Sequence, residues 1–293
     1  MTRPSPFPWP NGVKIAVTLT VAWEAWSPGV AEARGDVPTV PREWRDKGVP
    51  DLMNESWQAY GTRRGIWRLM ELLARCRVAT TGVFSGLAID NQPEIAREWV
   101  AQGHEIAAHS YAQEILTYTL TRDEERANIR RCVDAIRNAA GQPPLGWCSP
   151  ALQPSAHSVD LLIEAGFLYS MDFADDDIPY VVERPGGRLV AIPYQYDLND
   201  MGLYAYTRQP PSVYFEFFRR KFDYLYAEGM AGDPKMLNAT VHAQLFGRAF
   251  GASVLEECIR YARRFSGVWF ARRDNIARWV LKNGMTSLSG FSG

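Results

Sequence analysis

The sequence predicts an α/β protein folded as a distorted (β/α) barrel with seven or eight parallel strands. Apolar, β-branched runs alternate with stretches of helical period seven or eight times along the 293 residues. The first of those runs is apolar on both faces, as a strand covered from both sides must be. At 46% hydrophobic and 22% charged residues the composition is that of an ordinary globular protein. Barrels of this length run as a single domain, so one domain is expected over residues 1–293, with its core at about 13–280.

Residues 13–23 (VKIAVTLTVAW) supply the first strand. Residues 24–60 are rich in Pro, Trp and polar groups without clean periodicity, which predicts an active-site lid or an interface segment. Helical spacing over 63–77 precedes a strand at 79–84. A helix over 93–102 then leads to a strand at 104–109. Thr121 and Glu124 stand in capping-box spacing and Gly141 can end the helix they open, which fixes 121–140. Shorter units follow: a strand at 145–149, a helix at 155–165, and strands at 167–171 and 188–193. The last units are a helix at 213–230, a strand at 235–241, a helix at 253–265 and a strand at 267–270; the tail from Met285 is expected to be loose.

Bulk properties exclude several classes of partner. A formal net charge of −1, with no Lys/Arg-rich run, gives no general attraction to nucleic acid. No stretch of 18 apolar residues occurs, so no membrane span is expected. Cys76, Cys132, Cys148 and Cys258 form no CxxC pair, and no apolar leader follows Met1; a cytoplasmic protein with free thiols is expected.

Barrel chemistry sits at the C-terminal ends of the strands. Position alone therefore selects Ala22, Trp23, Glu24, His109, Cys148, residues 172–177 and His242.

Residues 103–113 (GHEIAAHSYAQ) resemble the second motif of the polysaccharide deacetylases, carbohydrate esterase family 4. Residues 141–150 (GQPPLGWCSP) resemble the third motif, and GFLYS at 166–170 with DDDIPY at 175–180 the fourth. Ile192-Pro193-Tyr194, Asn199-Asp200 and Val241-His242 complete a series running from about Val13 to about Trp279. The later elements look most like the subgroup of metal-independent allantoinases and cyclic-imide hydrolases. The resemblance implies a hydrolase of C–N bonds other than peptide bonds, and that subgroup tends to form homo-oligomers, a dimer or tetramer here.

Three departures from that pattern matter. Ala22 stands where the family places an aspartate base, Gln113 where it places a second metal-binding histidine, and Cys148 where it places an arginine. An arginine left without its aspartate in a desolvated pocket would cost several kcal/mol, so the losses at Ala22 and Cys148 read as a pair. The metal set implied by the resemblance becomes Glu24, His109 and Gln113. Amide oxygen is a poor zinc ligand beside imidazole, so no cofactor is the first expectation and Zn or another divalent ion the second.

Amide hydrolysis needs water activation, donors for the oxyanion and a proton for the leaving nitrogen. Glu24 is the first candidate base, its pKa expected to rise by desolvation beside Trp23 and Trp26; a structural ion pair is its alternative. His109 is a candidate acid or orienter and His242 a candidate proton donor; hydrogen-bonded core histidines are the alternatives. His104 and Glu105 are expected to be structural, and His157 at the surface. Cys148 could form a Cys–His nucleophile. Asp176, in the cluster Asp175–Asp177, is expected to bind substrate N–H groups or hold His242. Trp23, Trp26, Tyr111, Gln113, Trp147, Cys148, Asp176 and Tyr180 form the expected substrate contacts, and their aromatic rings suit a small flat ring. The expected activity is hydrolysis of a small cyclic amide, imide or ureide. The alternatives are a metal-dependent sugar de-N-acetylase and a repurposed barrel that binds a small molecule.

Overall fold

The computed structural model describes residues 7–27 and 38–283. Nine strands form one curled sheet: β1 (Ile15–Trp23), β2 (Thr81–Phe84), β3 (Glu105–Ala108), β4 (Gly146–Trp147), β5 (Tyr169–Ser170), β6 (Tyr180–Arg184), β7 (Gly187–Ala191), β8 (Lys235–His242) and β9 (Val268–Phe270). Their order is β6-β7-β5-β4-β3-β2-β1-β8, with β9 on β1; every pairing is parallel except β6–β7. The expected distorted barrel is present, and its eight parallel strands match the sequence reading. β6 was not anticipated.

Helices cover the outside: α1 (Arg42–Arg45), α2 (Leu52–Tyr60), α3 (Ile66–Arg75), α4 (Gly86–Asn91), α5 (Pro93–Ala101), α6 (Arg122–Ala140), α7 (Ser158–Glu164), α8 (Pro211–Met230), α9 (Ala249–Ala262) and α10 (Arg273–Lys282). α6 begins with the capping box of Thr121 and Glu124 and ends at Gly141 in the left-handed region, φ 77°. The stretch read as irregular is only partly so, because α1 and α2 lie within it and a π-helical turn, Gly61–Gly65, joins α2 to α3. Residues 28–37 of that stretch, and the tail from Met285, fall outside the described residues. No helix among the described residues is long and apolar enough to cross a membrane.

Strand alternation divides the core into two layers. Ile15, Val17, Leu19, Val21 and Trp23 pack against the helices, whereas Ala16, Thr18, Thr20 and Ala22 have the opposite parity, toward the barrel interior. In β8, Leu237, Ala239 and Val241 face the helices while Met236 belongs to the interior cluster. Below the strand ends that interior also holds polar groups. Arg273 reaches in from α10, fully buried, and donates to Thr20 Oγ1 (2.6 Å) and to Asn238 Oδ1.

Between the end strands β6 and β8 the curl closes without a ladder among the described residues. Residues 192–200 run along β8 instead. Gln195 accepts from Asn238 N (2.7 Å) and donates to Met236 O (2.8 Å), so its side-chain amide does what a neighbouring strand's backbone would do. Thr240 N adds a bond to Leu198 O (3.0 Å) and Met236 N one to Asp177 O (2.9 Å).

Candidate active site

Strand register brings the chemistry into one layer. Ala22 pairs with His242 and Ala108 with Trp147, so the residues that follow, Glu24, His109 and Cys148, emerge at one rim. A cavity of about 270 Å³ opens there. Glu24, Trp26, His109, Gln113, Cys148 and His242 line it, together with Thr20, Ala22, Leu116, Ser149, Leu152, Tyr194, Tyr196, Asn199 and Met201.

Glu24 is the centre of the arrangement, its side chain 3% exposed. Its Oε1 faces His109 Nε2 at 3.3 Å and His242 Nε2 at 3.6 Å, and accepts from Gln113 Nε2 at 2.9 Å. Its Oε2 accepts from Gln244 Nε2 at 3.2 Å. Burial pulls the Glu24 carboxyl upward, but the charge of His242, the hydrogen bond and charge of His109 and the Gln244 amide outweigh it and hold the group below its ordinary value. The expected rise therefore does not occur. The surroundings of Glu24 thus favour its ionised form.

In both histidines the Nδ1 nitrogen carries a hydrogen. His109 Nδ1 lies 2.7 Å from the Cys148 carbonyl, which can only accept, so Nδ1 carries the hydrogen and Nε2 turns toward Glu24. His242 Nδ1 lies 2.6 Å from Asp200 Oδ1, with the same result. Asp200 is completely buried and is itself held by His242 N (2.8 Å) and Phe246 N (3.3 Å).

Of the two roles expected for Asp176, binding substrate N–H groups or holding His242, the second falls to Asp200. Asp176 Oδ1 instead accepts from Asp177 N and Ile178 N in its own turn, beside a separate surface depression with Asp175, Asp177, Asp197 and Lys221.

Other expected contacts also lie elsewhere. Trp23 has the wrong parity: it packs on Phe84 among the helices and donates to Thr62 Oγ1. Trp147 is buried against Phe167, but its Nε1 donates to Ser149 Oγ (3.0 Å), a residue that does line the cavity. Tyr111 donates to Asp90 and stacks under Arg131 (3.4 Å), and Tyr180 donates to Asp175.

Cys148 lines the cavity, yet burial and the nearby Asp172 push its thiol well above the ordinary range. A thiolate nucleophile does not fit there. Asp172, pushed up to about 6 by burial, accepts from both Ser149 N (2.6 Å) and Ser149 Oγ (2.8 Å). His104 accepts from Thr80 N and Glu105 is tied to Thr81 and Tyr169, structural positions as expected.

Sequence reasoning missed Gln244 and the part played by Asp200. Ala151 and Leu152, which border the cavity, hold left-handed φ values of 55° and 56°, and strained backbone of this kind clusters at functional sites.

The donor chemistry does not fit a tightly held divalent cation. Gln113 and Gln244 both present NH2 groups to the Glu24 carboxylate, and the buried, unpartnered Gln113 Oε1 is a poor zinc ligand beside imidazole. Among the described residues no group of three or more His, Cys, Asp or Glu side chains is arranged to hold a metal ion.

The sequence signature described as polysaccharide deacetylase matches residues 59–170. Among solved structures, a "probable polysaccharide deacetylase" from Pseudomonas aeruginosa PAO1 is 32% identical, covering 92% of each chain, with a TM-score of 0.80. Puue allantoinase is 30% identical, covering 97% of this chain and 96% of that one, with a TM-score of 0.84. The peptidoglycan deacetylase of Helicobacter pylori is 24% identical over 74% of this chain and 84% of its own length.

Proposed function

The chain belongs to the polysaccharide deacetylase family, whose members are hydrolases of C–N bonds other than peptide bonds, and from that premise we propose that it opens a small cyclic amide, imide or ureide. The observation that carries the reading is the single cavity in which Glu24, His109 and His242 converge beneath aromatic and apolar walls. At about 270 Å³ it lies below the roughly 300–1,000 Å³ usual for small-molecule sites, a size for one ring rather than a sugar chain. Likeness to an allantoinase over nearly the whole chain supports the same substrate class.

In this reading His242 takes the proton of water at Nε2, because Asp200 beneath Nδ1 and Glu24 beside Nε2 both stabilise the imidazolium that forms. His109 has only a neutral carbonyl behind it and serves to orient Glu24 and the water. The water oxygen bonds to the carbonyl carbon, the C–N bond breaks, and His242 returns the proton to the leaving nitrogen. No metal takes part.

The test is ring opening of allantoin, hydantoin and succinimide, against release of acetate from N-acetylglucosamine oligomers, each before and after chelation. Ring opening that survives chelation is expected. Acetate release that chelation abolishes would instead establish a metal-dependent sugar de-N-acetylase, the reading that the peptidoglycan deacetylase relative favours.

A further inference from the structure

The Glu24 carboxylate is held from two directions, and one of them leads out of the cavity to the helix layer. Gln244 Nε2 donates to Glu24 Oε2 at 3.2 Å, and Gln244 O in turn accepts from Arg248 Nε at 3.1 Å. The Arg248 guanidinium lies 3.7 Å from the Trp57 ring centre and 4.1 Å from that of Tyr60, and Nη2 reaches Trp57 O at 3.4 Å. Trp57 and Tyr60 both belong to α2. The turn that carries Gln244 is seated against the end of α2 through Gly61, where an added Cβ would come within 3.0 Å of Gln244 N.

We propose that Gln244 and Arg248 are positioning residues, a relay by which the α2 aromatics fix the Glu24 carboxylate against both catalytic imidazoles. Neither residue need touch the substrate. Arg248 acts by fixing the Gln244 backbone, and Gln244 acts by directing its amide at Oε2, which leaves Oε1 to face His109 and His242. A guanidinium stacked on two rings has a planar orientation that an ammonium would not reproduce. The proposal rests on the convergence of Glu24 with the two histidines in the reading above, but not on the identity of the substrate.

The decisive measurement is therefore made on the protein alone, by long-range ¹H–¹⁵N correlation spectra of the histidine side chains. Wild type is compared with Gln244→Leu, Arg248→Met and the double variant. Gln244→Leu is expected to move the Nε2 resonances of His109 and His242. Arg248→Met should move them in the same direction by less, and the double variant should match Gln244→Leu. Unmoved resonances in an Arg248→Met protein that melts like wild type overturn the relay; so do effects that simply add in the double variant.

If Arg248→Met does not fold, Trp57→Leu removes one face of the stack and must give the same direction of shift. With allantoin as probe, the relay predicts a fall in kcat of up to about 10²-fold in Gln244→Leu with KM little changed. Wild type inactive on allantoin with the resonance pattern intact would count against the cyclic substrate and leave the relay standing.

Discussion

Glu24 receives four nitrogen neighbours on two oxygens, and that count defines what it can do. With two amide donors and two imidazoles about it, the carboxylate stabilises positive charge that develops on its neighbours. Glu24→Gln keeps the volume and removes the charge. A fall in kcat of about 10²–10³-fold is expected, with a circular-dichroism melting curve close to wild type; full turnover would remove Glu24 from the mechanism.

Glu24, His109, Gln113, Cys148 and His242 were legible in the sequence because each stands at or just past a predicted strand end, and strand ends meet at one rim. Trp23 and Trp147 stand there too, but alternation sends them to the helix layer. If Ala22 and Cys148 face inward, their neighbours must face outward, so parity could have excluded both. Asp200 gave no such signal. It lies 42 positions before His242, and only the curl of the sheet brings them together.

Whole elements show the same division between periodic and punctuated signals. The long strand β1 and helix α6 were readable from period and capping, whereas the β6–β7 hairpin was not. Its sequence, VVER-PGG-RLVA, places Pro and Gly between two apolar runs and was a usable hairpin signal. The turn from Gly61 to Gly65 packs so closely that a Cβ on Gly65 would lie 1.9 Å from the Ala243 carbonyl oxygen. Gly65→Ala is expected to cost about 1–3 kcal/mol in urea unfolding. Ala243 separates His242 from Gln244, so turnover should fall further than that loss of stability explains.

At the opposite end of the barrel Glu105, raised from 4.5 to about 7 by burial and the charge of Asp274, imposes a pH dependence. Because the folded value is the higher one, its contribution is complete below about 4.5 and is lost as pH rises through about 7. Glu105→Gln mimics the protonated form. The variant should match wild type in melting temperature at pH 5 and exceed it at pH 8, by a stability difference on the order of 3 kcal/mol at most. Equal melting at pH 8 would show that Glu105 ionises in the fold without cost.

For the molecule as a whole, the line where the sheet meets itself has no strand ladder among the described residues. Gln195 bonds both Asn238 N and Met236 O there. Gln195→Leu would leave both backbone groups buried and unpaired, at about 1–3 kcal/mol each, and denaturant titration should find most of that sum. The same strip of chain, 192–200, ends at Asp200, the partner of His242. Structural closure and imidazole orientation thus share one stretch of backbone. On gradual warming, turnover should therefore fade before the helical circular-dichroism signal does, and cooling from that interval should bring it back.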